Sequence, residues 1–119
     1  MKSYLEADAA SFRFLIDSGL VERVFETSRE ESPDLDLSRA LGGGPCRMTV
    51  ALGPAARVAE IGVDAVRGLV VLDAADLAPL PARLVPACAE DIDAVTRSPR
   101  DGAHAFRLRL ARSSAAAAG

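Results

Sequence analysis

Hydrophobic positions in the second half of the chain recur with a period of two. In RMTVAL, Met48, Val50 and Leu52 share one face. In RVAEIGV, Ala59, Ile61 and Val63 do the same, with Glu60 opposite. HAFRLRLAR places His104, Phe106, Leu108 and Leu110 on one side and Arg107 and Arg109 on the other. Alternation of this kind is the mark of a strand whose two faces see different surroundings. GLVVLD is rich in β-branched residues, and IDAVTRS adds a further short run. Residues 11–27 read differently along their length. Phe12, Phe14 and Ile16 alternate with Arg13 and Asp17, whereas Leu20, Val21, Val24 and Phe25 recur at helical spacing. One helix through Phe12, Ile16, Leu20 and Val24 also fits, but Gly19 interrupts it, so a strand followed by a short helix or strand is expected.

Thr27 to Asp36 is polar and carries Pro33, and is expected to be a loop. In the following DLSRALGGGP, Asp36 is suited to cap one or two helical turns, Gly42 to end them, and Pro45 to prevent their continuation. Short strands at roughly ten-residue spacing, broken by Gly, Pro and Asp, predict an all-β fold built around a small barrel. Residues 1–112 form one domain on this reading, and the Ala-rich segment 113–119 is expected to fray as a flexible tail.

Composition narrows the function classes. The chain has 119 residues, 50% hydrophobic and 26% charged, which suits a single packed domain rather than a disordered one. Aromatics are only 4% and Trp is absent, so the core must be built from Val, Leu, Ile and Ala. A net charge of -3 argues against nucleic acid, whose binding needs a basic stripe to displace counterions. No run of 18 apolar residues is present, so direct membrane insertion is not expected. Acidic residues interrupt the first ten positions where a signal peptide needs an apolar stretch, and a cytoplasmic location is expected.

Chemistry has little to work with. Cys46 and Cys88 are far apart, belong to no C-x-x-C pair, and read as small buried hydrophobes. His104 is the sole histidine, which leaves no His-based zinc cluster, and no metal or cofactor is expected. GGGP at Gly42 to Pro45 lacks the Lys-Ser/Thr of a phosphate loop. A Ser-His-Asp triad would need His104, which alternation places beside Phe106 and Leu108 in the core or on a barrel rim. Glu90, Asp91 and Asp93 fit a solvated rim near a strand start. No catalytic residue is assigned. The alternative to a binding module is a small α+β enzyme or ligand-binding domain with a pocket near His104 and Cys88. An open pocket lined by both would favour it, and burial of both would oppose it.

The order of the segments carries more. Val63-Asp64-Ala65-Val66-Arg67-Gly68 leads into the apolar run Leu69 to Leu72. Ala75-Asp76-Leu77-Ala78-Pro79-Leu80-Pro81 follows, and then Ile92 to Val95. This succession resembles the second half of the CheW family of chemotaxis coupling proteins. There a VD-x-V-x-G turn feeds a strand, and a P-A-A-D-L-x-P-L-P-like connection leads to a strand ending near I-x-A-V. PDLDLSRALGG, Pro33 to Gly43, resembles the family's segment between its two halves. SPRDGAHAFRLRL, Ser98 to Leu110, resembles its terminal strand. In the place of a longer family segment that includes a G-x-x-N-x-R-G stretch tied to receptor contact, this chain has ETSREESPD. A nucleotide-binding PilZ-like barrel is only vaguely echoed, because no paired arginines precede a D-x-S-x-x-G.

The resemblance implies two small SH3-like β-barrels sharing a core, joined by short helical connections, with the first barrel trimmed. It also implies a non-catalytic adaptor that links a chemoreceptor and a histidine kinase regulatory domain through protein–protein contacts. Small barrels pair through exposed apolar strand edges, with rim charges setting partner choice. Val66, Arg67, Leu69 and Val71 are therefore the expected partner-binding residues, with Val66 and Arg67 placed at the turn.

Overall fold

The computed structural model describes residues 1–28, 32–79 and 92–111. Strands β1 (Lys2–Ala9) and β2 (Phe12–Asp17) form a hairpin, and a single 3-10 turn over Ser18–Leu20 leads into β3 (Val21–Glu26). Then come β4 (Leu35–Asp36), the short helix α1 (Leu37–Ala40), β5 (Met48–Leu52), β6 (Glu60–Val63) and β7 (Ala65–Leu72). A 3-10 turn at Ala74–Asp76 precedes β8 (Ala78–Pro79), and β9 (Ile92–Arg97) and β10 (His104–Leu108) complete the fold. These strands build a six-stranded sheet, ordered β7-β1-β2-β10-β9-β8, and a four-stranded sheet, ordered β3-β5-β6-β4.

One apolar core lies between the sheets. Leu5, Ala7, Phe14, Ile16, Val95, Phe106 and Leu108 enter it from the larger sheet. Val50, Leu52, Ile61 and Val63 enter from the smaller one, and Leu37 from α1. A second cluster of Tyr4, Leu15, Val70, Leu72 and Ala105, joined by Leu77, covers the other face of the larger sheet. The inward assignment of Val50, Leu52, Ile61, Leu108 and Leu110 holds, and Met48 packs half-buried against the same core.

Several local expectations are met in detail. The Asp36 carboxylate accepts a hydrogen bond from the Arg39 N–H at 3.1 Å and caps α1. Gly42 takes a left-handed φ of +87°, which lets the chain leave the helix without a Cβ penalty. Phe12 to Asp17 is a strand, and the segment after Gly19 is a second strand rather than a helix.

Other expectations are corrected. The Thr27–Asp36 segment is not wholly loop, because Leu35 and Asp36 pair in parallel with Ile61 and Gly62 of β6. Ala59 precedes β6 and is exposed, so it does not share the inward face of Ile61 and Val63. Of the two places expected for His104, core or barrel rim, the structure selects the rim, since it is exposed at the start of β10. The strand β1 escapes period-two reading because both of its faces are buried. Leu5, Ala7 and Ala9 enter the main core, while Tyr4 and even Glu6 are enclosed on the other side. The tail 113–119, together with Cys88, Glu90 and Asp91, lies outside the described residues.

Candidate partner-binding surface

β7 occupies one end of the larger sheet and, among the described residues, pairs only with β1. Its two faces are unlike. Val70 and Leu72 are buried against Tyr4 and Leu15, whereas Leu69 is 62% and Val71 56% exposed. Leu69 lies opposite Leu5 and Val71 opposite Ser3, so both project from the core face of the sheet, out at its edge. Large apolar side chains this exposed, on a strand edge unpaired among the described residues, are features of the kind that marks interaction sites.

The expected turn at Val66 and Arg67 lies elsewhere. Both residues are inside β7, at a bulge where the register with β1 shifts between Glu6 and Ala7. Val66 is half-buried and packs against the main core, while Arg67 is exposed. The bulge depends on Gly68, whose φ of +131° is unfavourable for any residue with a Cβ. A Cβ there would also lie 3.0 Å from an Nη nitrogen of Arg100.

Beside the bulge, three arginines meet three carboxylates. Arg67 Nε donates to Asp8 at 2.6 Å, and Arg13 Nε donates to the other Asp8 oxygen at 2.7 Å. Arg13 also bonds both oxygens of Asp101, at 2.9 and 3.0 Å. Arg100 Nε donates to Glu6 Oε1 at 3.0 Å. Glu6 is fully buried, and its Oε2 has no hydrogen bond, only Arg13 at 3.9 Å. Partial burial would raise the Asp8 pKa, but the hydrogen bonds from Arg13 and Arg67 outweigh it and hold the carboxyl below its ordinary value. The Ala103 backbone N–H, with help from Arg13, lowers Asp101 in the same way. This network ties β7, β1, β2 and the β9–β10 loop into one rigid rim.

Asp64, just before β7, has a role that residue-by-residue reading missed. Its carboxylate accepts from the Ala10 N–H at 2.8 Å and from the Ser38 hydroxyl at 2.6 Å. Its own N–H donates to the Asp8 carbonyl at 2.8 Å. Ala10 and Ser11, the two residues of the β1–β2 turn, have φ values of +47° and +73°. That turn geometry is normally taken by Asn and Gly, so the Asp64 clamp stabilises a strained connection. The signal was present in Val63-Asp64, an acid directly after an apolar strand, but its partners are distant in sequence.

The alternative pocket is only partly visible. His104 lines an open depression with Asp8, Ser11, Phe12, Arg13, Ala103 and Phe106. Arg13, its principal charge, is already committed to Asp8 and Asp101. Cys46 is buried, which pushes its thiol pKa up despite a hydrogen bond with Thr27. Among the described residues no three His, Cys, Asp or Glu side chains are grouped to hold a metal ion. Nor, among them, is any helix long and apolar enough to cross a membrane.

No family model and no curated protein matches the sequence. The structure, however, is similar to that of the scaffolding protein TtCheW from Thermoanaerobacter tengcongensis. The TM-score is 0.68 at 17% identity, over 92% of this chain and 90% of that one. At such low identity the likeness speaks to the fold, and the fold of this chain is CheW-like and all-β.

Proposed function

We propose that this protein is a non-catalytic cytoplasmic adaptor of the chemotaxis-coupling kind, joining a receptor and a histidine kinase regulatory domain through protein–protein contacts. The observation that carries this reading is the CheW-like fold over 92% of the chain, together with sequence segments that follow the coupling proteins in order. The β7 edge supports it further. Val66, Arg67, Leu69 and Val71 are the partner-contacting residues in this reading, with the exposed Leu69 and Val71 supplying apolar area and Arg67 a rim charge. Because apolar contact sets residence time and rim charge sets encounter, the two should separate kinetically.

The test is a pull-down from native cytoplasm, followed by titration with the purified kinase regulatory domain. A histidine kinase or receptor should co-purify. Arg67→Gln should slow association and reduce its salt sensitivity, and Leu69→Ser should speed dissociation. Absence of binding to both partners at about 100 µM, far above ordinary signalling affinities, would overturn the reading. If partners bind and both variants bind normally, β7 is not the contact surface.

A further inference from the structure

We propose that the notch where β7 bulges at Gly68 is a guanidinium-binding site, filled in the free chain by Arg100 and open to an arginine on a partner's surface. This goes beyond the adaptor reading and rests on the chain's own geometry. Glu6 forms the floor. It sits in β1 between Leu15 of β2 and Gly68 of β7, and is fully buried. A buried carboxylate needs partners for both oxygens, yet only Oε1 has one, the Arg100 Nε at 3.0 Å. Oε2 makes no hydrogen bond among the described residues. The Arg13 guanidinium, 3.9 Å from it, is committed to Asp8 and Asp101. Gly68 forms the wall. A Cβ there would lie 3.0 Å from an Nη of Arg100 and 3.8 Å from its Cζ, so the guanidinium lies in space that a side chain would take. A φ of +131° favours glycine at this position, which keeps that space open.

Arg100 is placed as a replaceable occupant. Its side chain is 41% exposed, whereas Glu6 beneath it is fully buried. The β9–β10 loop holds its shape without the guanidinium. Ser98 N–H donates to the Ala103 carbonyl at 2.7 Å, Gly102 N–H to the Ser98 carbonyl at 2.8 Å, and Arg100 N–H to the Ser98 hydroxyl at 3.1 Å. Asp101, bonded by Arg13, pins the loop to β2 independently. Rotation of one long side chain therefore opens the notch with the backbone in place. The incoming group must be a cation, because Glu6 without one would be a buried, unpaired charge. Arginine fits better than lysine. A flat group suits the bare Gly68 backbone, and a guanidinium presented end-on can serve both carboxylate oxygens where Arg100 serves one. Exchange of one arginine for another leaves the charge balance of the rim unchanged, with Arg13 and Arg67 still on Asp8 and Asp101. Arg100 is tethered and competes as though at roughly millimolar concentration or above, so only a partner that makes other contacts as well displaces it. The notch thus selects partners that carry an arginine beside a complementary surface.

The test is a set of titrations on the full chain, with N-acetyl-arginine amide as the probe and N-acetyl-lysine amide as its control. Amide resonances of Gly68 and Glu6 are the readout. In the native chain the arginine probe should shift both saturably by about 200 mM, and the lysine probe should shift them at least about threefold less. Arg100→Ala and Arg100→Gln remove the competitor, so each should bind the arginine probe at least about tenfold more tightly than the native chain. The probe should also raise their melting temperatures, or restore the fold where a variant is unfolded alone. Glu6→Gln should lose the shifts. The proposal is overturned if neither Arg100 variant, folded or not, responds to the arginine probe more strongly than the native chain does. A native chain without shifts by about 200 mM makes Arg100 a fixed strap and also overturns it. So do arginine and lysine probes that act alike, or shifts that survive in Glu6→Gln. No kinase or receptor enters these measurements, so their failure leaves the adaptor reading standing.

Discussion

Removing the Asp64 carboxylate tests whether one side chain holds the β1–β2 hairpin to the rest of the fold. Asp64→Ala deletes two hydrogen bonds, from Ala10 N–H at 2.8 Å and from the Ser38 hydroxyl at 2.6 Å. Hydrogen bonds to charged groups contribute about 1.5–3 kcal/mol each. Because Ser38 is fully buried, its hydroxyl is left without this acceptor in a site that water does not reach. The two losses share one group and are not additive, so a cost of roughly 2–4 kcal/mol is expected. Asp64→Asn keeps an acceptor and the shape, and should cost about half of that. The turn adds an independent check. Ser11 is exposed with φ at +73°, so Ser11→Gly should stabilise the wild-type chain by up to about 1 kcal/mol and recover part of the Asp64→Ala loss. Urea melts give the energies, and amide exchange at Ala10 shows whether the turn is where protection is lost. A cost below about 1 kcal/mol, or an Ala10 amide that stays protected, would refute the clamp.

Other perturbations address the core, the bulge and the charged rim. Leu108→Ala, at a site 4% exposed, should cost roughly 2–5 kcal/mol by leaving a cavity, and a denaturant melt showing less than about 1 kcal/mol would contradict its packing. Gly68→Ala must adopt a φ of +131° and crowd Arg100 at 3.0 Å, so a loss of about 1–3 kcal/mol is expected in thermal melts, and a neutral result would mean the bulge tolerates a Cβ. Asp8 has a folded pKa below the ordinary 3.8, so its contribution is present above that pH and is lost as pH falls through the folded value. Stability should accordingly drop in acid below about pH 4, and Asp8→Asn should lower stability at neutral pH while flattening that drop; an unchanged acid profile would remove Asp8 from the network's energetics.

The second half of the fold was legible because the residues alternating with its core positions are polar or small. These are Thr49 and Ala51 in β5 and Ala105, Arg107 and Arg109 in and after β10, even where Thr49, Ala51 and Ala105 are themselves buried. Period two survives in Met48 to Leu52 and in His104 to Leu110 for that reason. The Asp36 cap and the Gly42 exit were legible because their partners are within a few residues. The first strand was not, since Leu5 and Ala7 face one cluster while Tyr4 and Glu6 are enclosed on the other. In β1 that enclosure puts the large Tyr4 on the face opposite Leu5, so the run of apolar side chains no longer keeps to one face. Leu35 and Asp36 failed differently: two residues are too few to show a period, and their partners Ile61 and Gly62 in β6 lie 26 positions away in sequence.

The candidate surface follows the same division between local and distant causes. That Leu69 to Leu72 is a strand is local, but which side of it faces outward depends on β1, whose existence the pattern concealed. Reading the stretch as a whole therefore leaves core and surface undivided, whereas the structure separates them residue by residue. Val70 and Leu72 fill the second cluster, and Leu69 and Val71 remain outside. Arg67 shows why that separation matters. In a turn it would be a free cation whose loss touches nothing else. In a bulge it is held at 2.6 Å by Asp8, which Arg13 also engages, and Glu6 lies next in the network. Reversing its charge would place a third carboxylate beside Asp8 and Asp101, so a changed affinity in Arg67→Glu would mix rim electrostatics with rim rearrangement. Arg67→Gln avoids that repulsion, which is why it, and not the reversal, isolates what the charge contributes to recognition.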